Sequence, residues 1–169
     1  KIKEIAKLRQ RSYRDAAGAL LVEGYRELKR ALDNGYKPWQ IVTCPGLYMG
    51  SHEPQLVARC TAAGADHLVC TPPVFAKISA RDRPDGLIAI GPQIHKTLAE
   101  LVLPPDALVI VAEAIEKPGN LGTILRSADS AGAAAVIVCD HCTDIQNPNV
   151  VRASIGTLFS VPVVDTSTA

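Results

Sequence analysis

Short apolar runs alternate with helical patterns along this chain of 169 residues, and that alternation limits its fold more than any other feature. In the first half, apolar runs of strand length predict strands at Gly18–Val22, Gln40–Cys44, Asp66–Cys70 and Gly86–Gly91. Helices are predicted at Ile2–Gln10, Glu23–Leu32, Glu53–Ala63 (with Ser51 as its N-cap) and Thr71–Ile78. Strands that alternate with helices favour a layered α/β domain.

A segment containing Pro92, Pro104 and Pro105 interrupts this regularity, with one helical turn expected near Leu98–Leu101. We therefore predict a first domain at residues 1–91, a linker at 92–106 and a second domain at 107–169. The second domain is predicted to contain a strand to Ala112, a helix to Ala131, a strand at Ala135–Cys139, a helix at Asn149–Ser154 and a strand at Ser160–Val164. Such apolar strands favour a parallel sheet covered by helices.

One cation stands out in the second domain. Pro118-Gly119-Asn120 is interpreted as a tight loop after the first strand, and small or apolar residues dominate the helix that follows. Arg126 is the only cation between Leu121 and Ala131. Its planar guanidinium suits a phosphate or a carboxylate, whereas the alternative is an ordinary salt bridge on the helix surface.

Two blocks of this domain resemble a known family. Asn120-Leu-Gly122-Thr-Ile-Leu-Arg126 matches an Asn-x-Gly-x-x-x-Arg motif, and Asn147–Gly156 matches an Asn-Pro-Asn helix with an Arg-Ala-Ser-x-Gly turn. Both resemble the SpoU/TrmH-type RNA 2′-O-ribose methyltransferases of the SPOUT superfamily. The resemblance implies a small ribosomal-protein-like α/β RNA-binding domain, followed by part of a SPOUT α/β-knot domain with a parallel sheet. More loosely, Leu20–Gly24 resembles a stretch of the family's N-terminal module.

The same resemblance implies the chemistry. The methyl donor would be S-adenosylmethionine, and Arg126 would lie beside the reacting ribose hydroxyl. Two roles are open for Arg126: it holds the neighbouring phosphate, or it takes up the hydroxyl proton. A pKa above about 12 for arginine disfavours the second role. Asn120 is the second catalytic candidate and is expected to hold the loop and to hydrogen-bond RNA or Arg126.

Several other residues receive provisional roles. Gly119, Gly122 and Glu113 are expected to set the loop geometry, and Gly122 to permit a close approach of backbone or ligand. Glu113 also stands at a strand end, where sites in open α/β sheets collect, although holding the loop at Lys117 is an equal alternative. Arg152 and Ser154 are expected to have structural and not chemical roles. Glu23 is expected to be a charge at a helix N-terminus.

The family's second and third motifs, a Gly-x-Glu-x-x-Gly loop and a Ser-Leu-Asn helix start, do not follow Val164. The chain begins at Lys1, and not at a methionine, and ends at Ala169. We therefore expect a longer protein in which the cofactor-binding residues lie mostly beyond Ala169. The resembled enzymes are homodimers, so a homodimer is expected for that longer protein.

Charge is distributed unevenly although the net charge is only +1. Residues 1–14 carry six basic side chains and one acidic one, whereas residues 93–169 carry four basic and eight acidic ones. A basic patch is typical of contacts to a phosphate backbone, and the alternative is a solvated helix face. The candidate RNA-binding residues are Lys7, Arg9, Arg11 and Arg14, together with Arg126.

The five cysteines form no disulfide framework, which favours a reducing cytosol. Cys139 and Cys142 have Cys-x-x-Cys spacing, but no second close pair supplies a zinc site, so no metal is expected. No apolar run approaches the about 20 residues of a membrane span, so no membrane partner is expected.

Three functions stay open from the sequence. The first is an RNA 2′-O-methyltransferase, with ribosomal RNA of the 23S type favoured over tRNA because a separate N-terminal module suits a larger target. The second is a non-catalytic RNA-binding protein of the same fold. The third, an NAD-type oxidoreductase, lacks the Gly-x-Gly-x-x-Gly fingerprint.

Overall fold

A computed structural model describes residues 1–140 and 143–167 of the chain. It divides into two compact units, Lys1–Gln93 and Ile94–Ala169. Within the described ranges, no helix has the length and apolar character needed to cross a membrane.

The first unit is a mixed sheet with helices. Its elements are α1 (Ile2–Lys7), α2 (Arg11–Ala17), β1 (Ala19–Glu23), α3 (Tyr25–Asp33), β2 (Gln40–Thr43), α4 (Glu53–Ala62), β3 (Asp66–Val69), α5 (Pro72–Ile78) and β4 (Leu87–Pro92). The strand order is β1-β4-β2-β3. β4 pairs antiparallel with both β1 and β2, and β2 pairs parallel with β3. β1 is buried at every position, which explains why its first four residues, Ala19–Val22, are apolar.

The N-terminal region differs from its prediction. The single helix expected at Ile2–Gln10 ends at Lys7, and a second helix, α2, follows at Arg11. Arg14 joins the two helices, because its Nη1 donates to the carbonyl oxygens of Leu8 and Arg9 at 3.0 and 2.9 Å. These carbonyls lie just past the end of α1, where backbone acceptors lack partners within the helix.

Two acidic residues also have roles that the sequence did not reveal. Glu23 was expected to be a helix N-terminal charge, but it ends β1 and is buried, and its carboxylate accepts from Ser79 Oγ and from Ala80 N–H. Ser51 does not cap α4. The backbone N–H groups of Met49 and Gly50 instead donate to Glu53 Oε1 at 3.0 and 2.8 Å.

The second unit confirms the predicted parallel sheet. Its elements are β5 (Val109–Glu113), α6 (Pro118–Ser130), β6 (Ala135–Cys139), α7 (Pro148–Ala153) and β7 (Val163–Thr166). All three strands run parallel in the order β5-β6-β7. β7 begins later than the predicted Ser160, because Thr157–Phe159 forms a 3-10 turn first. Another 3-10 turn, Leu98–Glu100, lies in the segment before β5.

Candidate active site

The carboxyl ends of three parallel strands meet at one edge of the second sheet. Glu113 ends β5 and is exposed, and the next residue, Ala114, has a φ of 54°. Asp140, which follows β6, has a φ of 61°. Backbone bonds join the strand ends: Ala114 N–H donates to Cys139 O at 3.2 Å, and Asp140 N–H to Thr166 O at 3.3 Å.

Two non-glycine residues in the left-handed region at adjacent strand ends are informative. This conformation is uncommon outside glycine and clusters at functional sites. Ligands of open parallel sheets also bind beyond the carboxyl ends of the strands. We therefore identify this edge as the candidate active site. Nothing in the sequence marks Ala114, whereas Asp140 is a residue type that tolerates left-handed backbone.

Helix α6 begins immediately after this edge. The interpretation of Pro118–Asn120 as a loop is wrong, because these residues form the first turn of α6, with Pro118 at its first position. Asn120 is exposed in that turn, and its backbone N–H donates to Lys117 O at 3.0 Å. Asn120, Gly119 and Gly122 therefore do not set the geometry of a loop.

Arg126 lies further along α6 and is half-buried. Its Nη1 donates to the carbonyl oxygen of Ala153, and its Nη2 contacts Thr123 Oγ1 at 3.3 Å. Among the described residues no carboxylate lies within ion-pair distance of Arg126. The guanidinium is therefore fixed by neutral partners and keeps its charge for another group. A surface salt bridge, the alternative left open by the sequence, is not formed.

Gly122 allows α6 and α7 to touch. A Cβ atom at Gly122 would lie 2.4 Å from Ala153 Cβ and 2.8 Å from Ser154 N. The expected close approach is confirmed, and the approaching group is the C-terminal end of α7. A Cβ atom at Gly119, in contrast, would have no described atom from outside its own stretch of helix within 4 Å.

The turn after α7 completes this cluster. Asn147 caps α7 by accepting from Asn149 N–H at 2.9 Å, and the chain then leaves the helix through Ile155 and Gly156, with φ angles of 54° and 76°. Ser154 is fully buried, and its Oγ donates to Val151 O at 2.9 Å, which agrees with a structural role. The two sequence blocks that resemble the family therefore pack directly on each other through Gly122 and Arg126.

The basic candidates of the first unit do not all face solvent. Arg14 is 1% exposed and holds two backbone carbonyls, so it is unsuited to an RNA phosphate, and its prediction as an RNA-binding residue is wrong. The sequence did not signal this difference, because charge alone does not report burial.

The remaining basic candidates are at least partly accessible. Lys7 pairs with Glu4 at 3.0 Å, and Arg11 pairs with Asp15 at 3.3 Å. Arg9 is exposed, although its Nη2 donates to a backbone carbonyl. Pairs as exposed as these cost little to exchange for phosphate contacts.

Only the first cysteine of the Cys-x-x-Cys pair, Cys139, is among the described residues. Cys139 is buried and its thiol donates to Ala112 O at 3.8 Å, while His141 and Cys142 lie outside the described residues. In residues 1–140 and 143–167, no three His, Cys, Asp or Glu side chains come together as a metal site would require.

Comparison with known proteins identifies both units. Residues 1–89, more than half of the chain, match the MRM3-like substrate binding domain, and residues 107–169 match the SpoU rRNA Methylase family. The chain belongs to the SpoU-type RNA methyltransferase family. Its sheet edge and the Arg126 cluster thus lie in the SpoU domain, and its basic helices lie in the substrate-binding domain.

Individual relatives agree with this membership. A 23S rRNA (uridine(2479)-2′-O)-methyltransferase of Streptomyces viridochromogenes is 32% identical over 162 residues, covering 94% of this chain and 55% of the relative. A 23S rRNA (guanosine(2553)-2′-O)-methyltransferase of Bacillus subtilis is 26% identical, covering 97% of this chain and 61% of the relative. The AdoMet-bound rRNA methyltransferase of Sinorhizobium meliloti superimposes with a TM-score of 0.87 at 30% identity, covering 99% and 61% of the two chains. The SpoU-type chain thus spans between half and two thirds of the length of these relatives.

Proposed function

We propose that the SpoU-type chain is part of an enzyme that transfers a methyl group from S-adenosylmethionine to a ribose 2′-hydroxyl of RNA, with 23S-type ribosomal RNA as the substrate. The observation that carries this proposal is Arg126, a cation fixed by neutral partners where the two family blocks meet. The rRNA methyltransferases among its relatives support the choice of substrate.

A ribose hydroxyl is a weak nucleophile, so the protein must position it and stabilise its developing negative charge. S-adenosylmethionine supplies an electrophilic methyl group when it is bound. The left-handed strand ends at Ala114 and Asp140 fit such a ligand, because they stand where open parallel sheets bind nucleotides. The other cofactor-binding residues stay a prediction and are placed mostly beyond Ala169.

Arg126 performs the charge-stabilising role in this proposal. Its guanidinium has more N–H donors than the contacts to Ala153 and Thr123 use. The other donors hold the phosphate next to the target ribose and favour the developing alkoxide. Asn120, exposed on the first turn of the same helix, is proposed to contact the RNA.

The first unit, with residues 92–106 as a linker, is proposed to bind the RNA through the exposed or half-exposed Lys7, Arg9 and Arg11. The longer protein is proposed to be a homodimer, as the family resemblance implies, and to be cytoplasmic, as the spacing of its cysteines favours. Sedimentation at micromolar concentration measures this directly, and a monomer there contradicts the dimer.

The test of the activity is incorporation of tritiated methyl groups by the full-length protein into 23S rRNA and tRNA transcripts. Because a 2′-O-methyl group blocks alkaline cleavage of the adjacent phosphodiester, the label should be recovered in alkali-resistant dinucleotides from rRNA. Label that is recovered in mononucleotides contradicts ribose methylation. RNA binding without incorporation of methyl groups supports the non-catalytic alternative. Incorporation into tRNA alone contradicts ribosomal RNA as the substrate and identifies tRNA instead.

A further inference from the structure

A groove in the first unit has no assigned role. It has a volume of about 610 Å³ and lies between the N-terminal helices and the sheet. Ile5, Leu8 and Ile90, all buried core residues, contribute to its lining. Tyr13 and Trp39 line it as well and differ from these three residues, because they are 42% and 49% exposed.

The backbone at Trp39 is fixed in place. Its N–H donates to Ile90 O at 2.8 Å, and its carbonyl accepts from Asp66 N–H at 2.8 Å, which secures the residue beside the sheet. Tyr13 has a cation beside its ring, since Lys7 Nζ lies 5.4 Å from the ring centroid. Large aromatic side chains held half-exposed on a fixed backbone offer a flat apolar surface without a large ordering cost on binding.

The charge around the groove favours a polyanion. Lys1 lines it, and Lys3, Lys7, Arg9 and Arg11 are carried by the adjacent helices α1 and α2 or by the turn between them. Two acidic residues, Glu4 and Asp66, also line it, and Glu4 is already paired with Lys7. An aromatic surface flanked by cations is the arrangement with which proteins bind single-stranded nucleic acid, because bases stack while the cations track the phosphates.

We propose that this groove holds an unpaired nucleobase of the RNA substrate, stacked against Trp39, with phosphates contacted from α1 and α2. The proposal rests on the proposed RNA-binding function and adds a specific site to it. Sequence-specific recognition of RNA is directed mainly at unstacked bases in loops and bulges, which have a free face to stack on an aromatic side chain. The volume lies within the range of about 300–1,000 Å³ that is common for small-ligand sites.

Trp39 provides its own probe, because it is the only tryptophan in the 169-residue chain. Addition of a short oligoadenylate should quench its fluorescence in the same concentration range in which the anisotropy of a labelled oligoadenylate rises. Trp39→Ala should weaken binding by about 5- to 150-fold, the range expected for loss of one stacked base. The slope of log affinity against log salt should stay unchanged, because every cation that binds phosphate is retained.

Two variants act as controls. Trp39→Phe keeps an aromatic face and should retain most of the affinity, which separates loss of stacking from loss of fold. Met49→Ala removes an exposed apolar side chain of the same unit that lies outside the groove, and it should bind as the unchanged chain does. Melting curves identify any variant that fails to fold.

The other outcomes each overturn the proposal in a recognisable way. Unchanged affinity in Trp39→Ala, with a normal salt slope, contradicts base binding in the groove but leaves RNA binding by the first unit intact. If the anisotropy does not change when the unchanged chain is added, both the proposed RNA binding and the proposed base site in the groove are contradicted. Protection of Trp39 from acrylamide quenching before RNA is added, in the full-length protein, shows that a protein segment occupies the groove instead.

Discussion

Gly122 provides the sharpest test at the scale of single residues. A Cβ atom there would lie 2.4 Å from Ala153 Cβ, so Gly122→Ala must push α6 and α7 apart and should destabilise the second unit by about 1–3 kcal/mol. Gly119→Ala is the matched control on the same helix, because its new Cβ has no atom of the described residues outside that stretch of helix within 4 Å. It should be neutral or stabilising by up to about 1 kcal/mol, since alanine favours helix. Chemical denaturation measures both, and equal effects would contradict the close contact.

Arg126 carries the prediction about chemistry. In the full-length protein, Arg126→Ala should lower methyl transfer by about 10²–10³-fold, as is typical when a donor to a developing oxyanion is removed. Arg126→Lys should rescue poorly because lysine lacks the planar fork. Stability should fall by about 1 kcal/mol because the bond to Ala153 O is removed.

Arg152 gives the control for Arg126, because it is an exposed arginine on α7, the helix whose end Arg126 contacts. Arg152→Ala should methylate almost normally. The measurements are tritiated-methyl incorporation, calorimetric cofactor binding and melting. Near-normal turnover in Arg126→Ala removes the residue from the mechanism, and a large fall in melting temperature without a specific loss of turnover assigns it to the structure.

At the scale of elements, the start of α4 depends on Glu53. Burial acts to raise the pKa of this carboxyl, but hydrogen bonds from backbone N–H groups outweigh burial and hold the pKa below its ordinary value. Glu53→Ala leaves the N–H groups of Met49 and Gly50 without their acceptor and should cost about 1–2 kcal/mol at neutral pH. Glu53→Gln keeps an acceptor oxygen and should cost less.

The pH dependence checks the sign of this effect. A carboxyl with a lowered pKa in the folded state stabilises the protein above its unfolded pKa of about 4.3. The stabilisation is lost as the pH falls through the lower folded value. The difference in unfolding free energy between the unchanged chain and Glu53→Gln should therefore shrink below about pH 4. A difference in unfolding free energy that is constant from pH 7 to pH 3 contradicts stabilisation by the charged Glu53 carboxylate and its bonds to Met49 and Gly50.

The elements themselves were largely predictable, and the exceptions have physical causes. The lengths of the apolar runs identified the strands. Ala135–Cys139 is found with its predicted bounds, because a buried parallel strand is apolar along its whole length. Helix α2 was missed because it is short and polar, and its position depends on the bonds of Arg14 to Leu8 and Arg9, which are tertiary contacts. The antiparallel direction of β4 has no local signature in sequence.

The candidate site shows the same division. The Asn120–Arg126 block was found from the sequence because its residue types recur at fixed spacing in the family. That Arg126 binds Ala153 depends on where α7 packs. The start of α6 at Pro118 had a local signal that was misread, since proline favours the first position of a helix. The left-handed backbone at Ala114 reflects the strand ends around it, and no residue type announced it.

At the scale of the whole molecule, the charge of residues 1–14 gives the last prediction, because it separates the electrostatic role of this region from its structural one. Lys3, Lys7 and Arg11 lie at the surface or are half-buried, so replacing all three with glutamine should leave stability within about 0.5 kcal/mol per site. RNA affinity should fall, and its log–log salt slope should flatten by about 0.7 for each phosphate that the variant no longer neutralises, the value for single strands.

Arg14→Gln should do the opposite, although it also removes a positive charge from the same region. The carbonyls of Leu8 and Arg9 lose a buried donor, so the variant should be destabilised by about 1–3 kcal/mol, and below its melting temperature its salt slope should equal that of the unchanged chain. Replacing the exposed Lys29 of α3 and the half-buried Arg59 of α4 controls for net charge and should change the slope little. The measurement is RNA affinity by anisotropy across a salt series, with melting curves for each variant. An equal flattening per charge removed, for Arg14 and for Lys3, Lys7 and Arg11, would show that long-range charge, and not direct binding of phosphate, governs RNA affinity.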